Sequence, residues 1–329
     1  MFSISRFRAL ISLSIVGCAL ASGRALEPDR HYPESTEQVV ILNVRQFLSS
    51  KLVTKRIGLE LIRQALKAQV EVSDVLDGLG LNLLKDVDTI TIAGPESGEG
   101  AGLLIVKGRF DVEKFRAQLR ASEKEHPNTI KSKLIQAKNG RKHLIYELTL
   151  EALESPLLVG IADQTTILGA TSQQYLLDGL SVKAGQKAKI ANKKLLPILA
   201  KLTEKHTLGI ATIGNPLTIS FEGAGIELSK ETNQILNSIK TITGGIFIDD
   251  DVQIQLSLTT ADAKSALTLR KNVEVGIGAV RTLVGALVKS EAKWQPLADL
   301  VGSFKVNALG RVVSIRGSLS GDGLKKLIP

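Results

Sequence analysis

Groups able to move protons, ligate metals or attack carbonyls are few in this chain of 329 residues. The four histidines are His31, His126, His143 and His206, and the one cysteine is Cys18. No two histidines stand three or four residues apart, so no helix presents a zinc-binding pair. His31 falls in a polar N-terminal stretch and His126 precedes Pro127 in an expected loop. His143 and His206 fall near strand starts, so all four read as surface or strand residues rather than bases or ligands. One cysteine excludes a disulfide scaffold. There is no G-x-S-x-G elbow and no P-loop. Gly98-Glu99-Gly100-Ala101-Gly102 joins two expected strands instead of opening a helix, so it reads as a hairpin tip and not as a dinucleotide turn. No cofactor is implied.

Two charged clusters remain. Asp249-Asp250-Asp251 puts three carboxylates in one expected turn, the weak candidate for a metal site. It has neither the spacing of an EF-hand loop nor its closing glutamate. Lys183, Lys187, Lys189, Lys193, Lys194, Lys201 and Lys205 gather against Glu204 alone. Seven cations in one stretch stay in water, on a linker or on an exposed helix whose apolar stripe is Leu195, Leu196, Leu199 and Leu202. Such a stretch suits anionic envelope polymers or a lipid surface. Sequence-specific nucleic-acid reading is not expected, because the charge here is lysine and aromatics make up only 4% of the chain.

The elements that must position these groups follow from patterning. Residues 1–21 read as a secretory signal peptide. Arg6 and Arg8 form the basic start, Ala9 to Leu20 the uncharged run, and Ala19-Leu20-Ala21 the small-x-small cleavage site. The run is short for a permanent membrane anchor. Ile15-Val16-Gly17-Cys18 also resembles a bacterial lipobox, which would lipidate Cys18. The expectation is an exported protein, periplasmic or extracellular, either soluble or lipid-anchored, with no transmembrane span after cleavage. The basic excess, 42 Lys+Arg against 33 Asp+Glu, survives the loss of two arginines.

Residues 22–37 read as a polar tether. Val39 to Val44 is a continuous apolar run suited to a strand buried on both faces. A helix is expected over 46–69 and a second over 74–79. Hairpins follow at 87–93/102–106, 129–137/141–149 and 156–162/165–170, with helices capped by Asp111 and Ser172. The order then restarts. A strand at 208–213, a helix at 229–240 and a hairpin at 242–248/252–258 precede a long helix to about Val288. A short helix around 294–301, a hairpin at 304–308/311–319 and a last helix near Gly321 complete it. Gly276, Gly278 and Gly285 in the long helix suggest close packing against a neighbour. The expected organisation is therefore an α+β unit over 38–182, a Lys-rich connector over 183–206 and a related α+β unit over 207–329. The sheets are mainly antiparallel, with helices on one face.

The tracts VVILNVRQFLSSKLV, GLNLLKDVDTITIAG, GLLIVKGRFDVEKF and TTILGATSQQYLLDGL together resemble a group of exported proteins of unknown function from planctomycete bacteria. That resemblance implies an exported, duplicated α+β protein with no characterised activity, and carries over no active site. The leading functional expectation is a non-enzymatic cell-envelope or periplasmic binding or structural module. The alternative is a carrier of lipid or another apolar ligand, and a carboxylate-dependent hydrolase is the third reading.

Overall fold

A computed structural model describes residues 25–67, 81–95, 102–149, 155–214 and 230–325. The expected signal peptide with Cys18, Ala19 and Ala21, the expected helix over 74–79 and the glycine-rich tip 98–101 lie outside the described residues.

The class is α+β. Twelve strands form one antiparallel sheet in the order β11-β12-β10-β9-β8-β1-β2-β3-β7-β6-β5-β4. They are β1 Gln38–Asn43, β2 Val87–Gly94, β3 Leu103–Gly108, β4 Ile130–Gln136, β5 Lys142–Leu148, β6 Leu157–Asp163, β7 Thr166–Ala170, β8 Leu208–Ile213, β9 Ile239–Ile248, β10 Val252–Thr260, β11 Lys305–Leu309 and β12 Val312–Leu319. The seam is β1 against β8, with Val40 opposite Ile210 and Leu42 opposite Leu208. The leading strands of the two expected units therefore pair directly, and both halves share one sheet.

The helices are α1 Val44–Ser49, α2 Leu59–Lys67, α3 Leu83–Asp86, α4 Val112–Glu125, α5 Gln173–Leu180, α6 Leu195–Leu199, α7 Lys230–Asn237, α8 Ala263–Ser290, α9 Gln295–Ser303 and α10 Gly321–Lys325. The single helix expected over 46–69 is broken. α1 stops at Ser50, whose backbone N–H bonds the Phe47 carbonyl, and a π-turn over Leu52–Ile57 closes at Gly58 with φ +85°. An L side chain rarely adopts that angle, so the helical stripe cannot run through it. Asp111 caps α4 through its carboxylate as expected, and of Thr260 and Asp262, the two candidates at the start of the long helix, Asp262 caps α8, whereas Ser172 makes no side-chain cap bond to α5.

Cover lies on both sheet faces, not on one. Val39, Ala93, Leu103, Ile105, Leu168 and Ala211 point to one face, where α5, Leu195, Ile198, Leu199 and Leu202 seal them. Ile167, Tyr146 and Val159 point to the other and meet Phe115 and Leu119 of α4. On that same second face, Ile242, Leu258 and Val313 meet Ala266 and Leu269 of α8. The central strands carry apolar residues on both sides, with Val39 and Ile41 of β1 pointing one way and Val40 and Leu42 the other, so both sides call for cover. Among the described residues, no helix is long and apolar enough to cross a membrane.

Candidate functional site

Two features meet on the face sealed by α5: a basic surface and a strap. The basic surface is the stretch 183–206. Its leucines and lysines separate by side. Leu195, Leu199 and Leu202 are fully buried and Ile198 nearly so, while all seven lysines are exposed. Burial of each of those four side chains contributes about 1.5–3 kcal/mol, which fixes the backbone beneath the charges. Of the linker and the exposed helix expected for this stretch, only the five residues of α6 are helical. Leu196, counted in the expected stripe, turns outward. Among the described residues, none of Lys183, Lys187, Lys189, Lys193, Lys194, Lys201 or Lys205 forms a salt bridge. Lys193 donates to the Ile190 carbonyl at 2.7 Å, which pins its stem and leaves its charge unneutralised.

The strap is residues 25–37, expected as a tether and found packed. Leu26 N–H bonds the Leu202 carbonyl at 2.9 Å, Ala191 N–H bonds the Glu34 carbonyl at 2.9 Å, and Glu37 N–H bonds the Gly94 carbonyl at 2.8 Å. His31, Tyr32, Pro33 and Thr36 are buried. Composition misled here: three of those four are polar or turn residues, and they go inside because their polar atoms find partners within the strap and on α5. Thr36 Oγ1 donates to the Pro33 carbonyl at 2.6 Å.

His31 is the sharpest polar group that sequence reasoning missed. It is 3% exposed. Its Nε2 accepts from Arg30 Nε at 3.0 Å, so the proton sits on Nδ1, which donates to the Gly179 carbonyl at 2.9 Å. Arg30 in turn bonds Asp163 at 2.6 Å. Burial, with Arg30 alongside, holds the imidazole below its ordinary pKa, against the opposing pull of the Gly179 carbonyl and of Asp29. Burial pushes the Asp163 carboxyl up, but hydrogen bonds from Thr165 and Thr166 and the Arg30 charge outweigh it and hold it down. No pattern of spacing marks this relay, because Asp163 lies 133 residues from Arg30.

Arg30 and His31 form the wall between two cavities. One, about 560 Å³, lies between the strap, α5 and the start of the basic stretch; Glu34, Tyr175, Asp178, Lys187 and Lys189 line it. The other, about 670 Å³, is bounded by Glu27, Asp29, Asp88, Lys107 and Arg109. Its acids are already engaged: Asp29 pairs with Lys107, and Asp88 with Arg45 at 3.3 Å. A glycosidase needs one carboxyl held above its ordinary pKa as the acid. The described carboxylates with displaced pKa values, Glu123, Asp163, Asp249 and Asp262, are all displaced downward.

The other histidines divide. His206 is buried beside Phe247, with ring centroids 4.1 Å apart, and takes Thr203 N–H on Nδ1 at 3.0 Å. The surface reading fails for it, although it does stand just before β8. His143 lies in β5, half-buried and lowered in pKa by burial and then by Arg141.

Asp249, Asp250 and Asp251 face three separate partners. Asp249 meets Lys51 at 3.0 Å, Asp250 meets Arg56 at 2.8 Å, and Asp251 accepts Gly321 N–H at 3.1 Å. The turn therefore ties β9–β10 to the π-turn and to α10. Its carboxylates diverge instead of converging on one point, and among the described residues no cluster of three acids, histidines or cysteines could hold a metal ion.

Fold and site together define an α+β protein with an uncompensated cationic face beside a polar cleft. Comparison with protein-family models, with curated proteins and with solved structures finds no match to this chain.

Proposed function

We propose that this protein is an exported binding module of the cell envelope, and that the lysine face over residues 183–205 takes anionic polymers. The observation that carries the reading is the sidedness of that stretch. Four buried apolar side chains fix it to the sheet while seven exposed lysines carry their charges with no pairing acid among the described residues. A solvated linker would need no such anchorage. A polymer with regularly spaced phosphates, sulfates or carboxylates gains from a fixed row of cations, because the protein's ordering cost is met on folding.

Heparin-column retention tests it. Charge reversal at Lys187, Lys193 and Lys194 abolishes retention without changing the melting temperature. An unchanged elution salt refutes the lysine face.

Export rests on the leader at residues 1–21. N-terminal sequencing with intact mass, after expression in an exporting host, reads the cut: Ser22 for a soluble product, or a lipid-modified Cys18 for an anchored one. An untrimmed chain refutes both.

Duplication is supported by strand order. Outward from β1 the sheet runs β2-β3-β7-β6, and outward from β8 it runs β9-β10-β12-β11, with β4–β5 as the added hairpin of the first half. The rival reading, a lipid carrier, is less well supported, because both cavities beside the strap are lined by charges. A native mass spectrum showing co-purified lipid would favour it.

A further inference from the structure

Among the described residues, the long helix α8 is covered along one side only. Ala266, Leu269 and Val284 are buried against the sheet and α9, as an amphipathic helix requires. Five of the eleven exposed large hydrophobic side chains of the described residues nevertheless belong to this helix: Leu267, Val275, Val280, Leu283 and Leu287. Val275 is 72% exposed and Leu283 64%. Val275, Ala279, Leu283 and Leu287 follow one another at four-residue steps, so they form one ridge of about 18 Å that winds from the outer side at Val275 toward the sheet-facing side at Leu287. Gly276, Gly278 and Gly285 have nothing within 4 Å of a built Cβ. Among the described residues, none packs against these three glycines.

We propose that this ridge lies on the surface of an anionic lipid bilayer, with α8 parallel to the membrane plane. The charges around it choose the occupant. Lys271 continues the ridge one step toward the N-terminus, with Lys264 beyond it, and Lys289 follows Leu287; all three are exposed and none forms a salt bridge with a described residue. Lysines at both ends of an apolar ridge reach lipid phosphates while their stems lie along the acyl boundary. A second copy of the chain fits badly. Parallel pairing sets Lys271 against Lys271. Antiparallel pairing sets it beside the Lys289–Lys293 end, whose one acid, Glu291, already pairs with Lys293. α8 sits on the sheet face opposite the 183–205 lysines, so the two surfaces act separately and this proposal stands without the polymer reading.

Flotation of the full chain with vesicles of equal phosphatidylglycerol and phosphatidylcholine, against phosphatidylcholine alone, tests the contact. Wild type floats with the anionic vesicles. Val275→Ser with Leu283→Ser lowers partitioning about tenfold or more at unchanged melting temperature, since two apolar side chains leave the interface. Lys271→Glu with Lys289→Glu gives a comparable loss. Charge reversal at Lys187, Lys193 and Lys194 separates the two cationic surfaces and leaves at least part of the flotation. Wild-type flotation by the serine variant overturns the proposal, as does flotation lost only with the 187/193/194 variant. A dimer by light scattering that the serine variant makes monomeric, with no vesicle binding, assigns the ridge to a second copy and overturns it as well.

Discussion

Acidification from pH 7.5 to 5.5 should destabilise this fold through two buried imidazoles. His31 and His206 are 3% and 7% exposed, and burial lowers the folded pKa of each. A histidine whose folded pKa is depressed contributes stability above its unfolded value of 6.5, and that stability falls as pH drops below 6.5 toward the folded value. The unfolded chain takes up more protons in that window than the folded chain does. For one such group the loss between pH 6.5 and 5.5 is at most about 1 kcal/mol, and for two at most about 2 kcal/mol. For His31 the structural reason is specific. Protonating Nε2 replaces the acceptor of the Arg30 N–H bond with a second donor and sets two cations together, with Asp163 and Asp29 as the acids that face them. Urea unfolding followed by far-UV circular dichroism at pH 5.5, 6.0, 6.5 and 7.5 measures the slope. His31→Gln and His206→Gln should each start less stable at pH 7.5 and lose about half of the slope over this window. A flat wild-type profile, or an undiminished slope in both variants, refutes the assignment of buried neutral imidazoles.

Other expectations rest on packing. Leu199→Ala, beneath the lysine face, should cost about 2–5 kcal/mol and weaken heparin retention with it, read by denaturant melts and elution salt. Gly245→Ala should prevent folding or nearly so, because its Cβ would stand 1.9 Å from the Leu208 carbonyl oxygen in the neighbouring strand. Gly278→Ala, with open space around it in α8, should instead raise stability by about 1 kcal/mol. Asp111→Ala removes the side-chain acceptor of Lys114 N–H and should cost about 1 kcal/mol. Millimolar calcium should leave the melting temperature unchanged, because Asp249, Asp250 and Asp251 are each held by a separate partner; a shift of several degrees, absent in Asp250→Asn, would restore the metal reading.

Local order was largely legible. Alternation and turn residues located each described strand within three residues, and Asp111 marked the start of α4, because these signals depend on neighbours along the chain. Asn139-Gly140 marked its hairpin for the same reason, and Gly140 has φ +80°. The break at Gly58 was missed, since an apolar stripe at helical spacing carries no record of one glycine turning left-handed.

The sequence by itself determined the α+β class, the antiparallel hairpins, the thin catalytic inventory and the solvation of seven lysines. Each follows from residue type and short-range spacing. Only the tertiary structure decided that the two halves share one sheet across β1 and β8, that the tether is a packed strap, and that His31 joins Arg30 and Asp163. It also decided which face of α8 meets no other described residue. These depend on groups more than a hundred residues apart, or on which of several apolar stripes finds cover. Long-range packing settles such choices, and no periodicity in the chain encodes them.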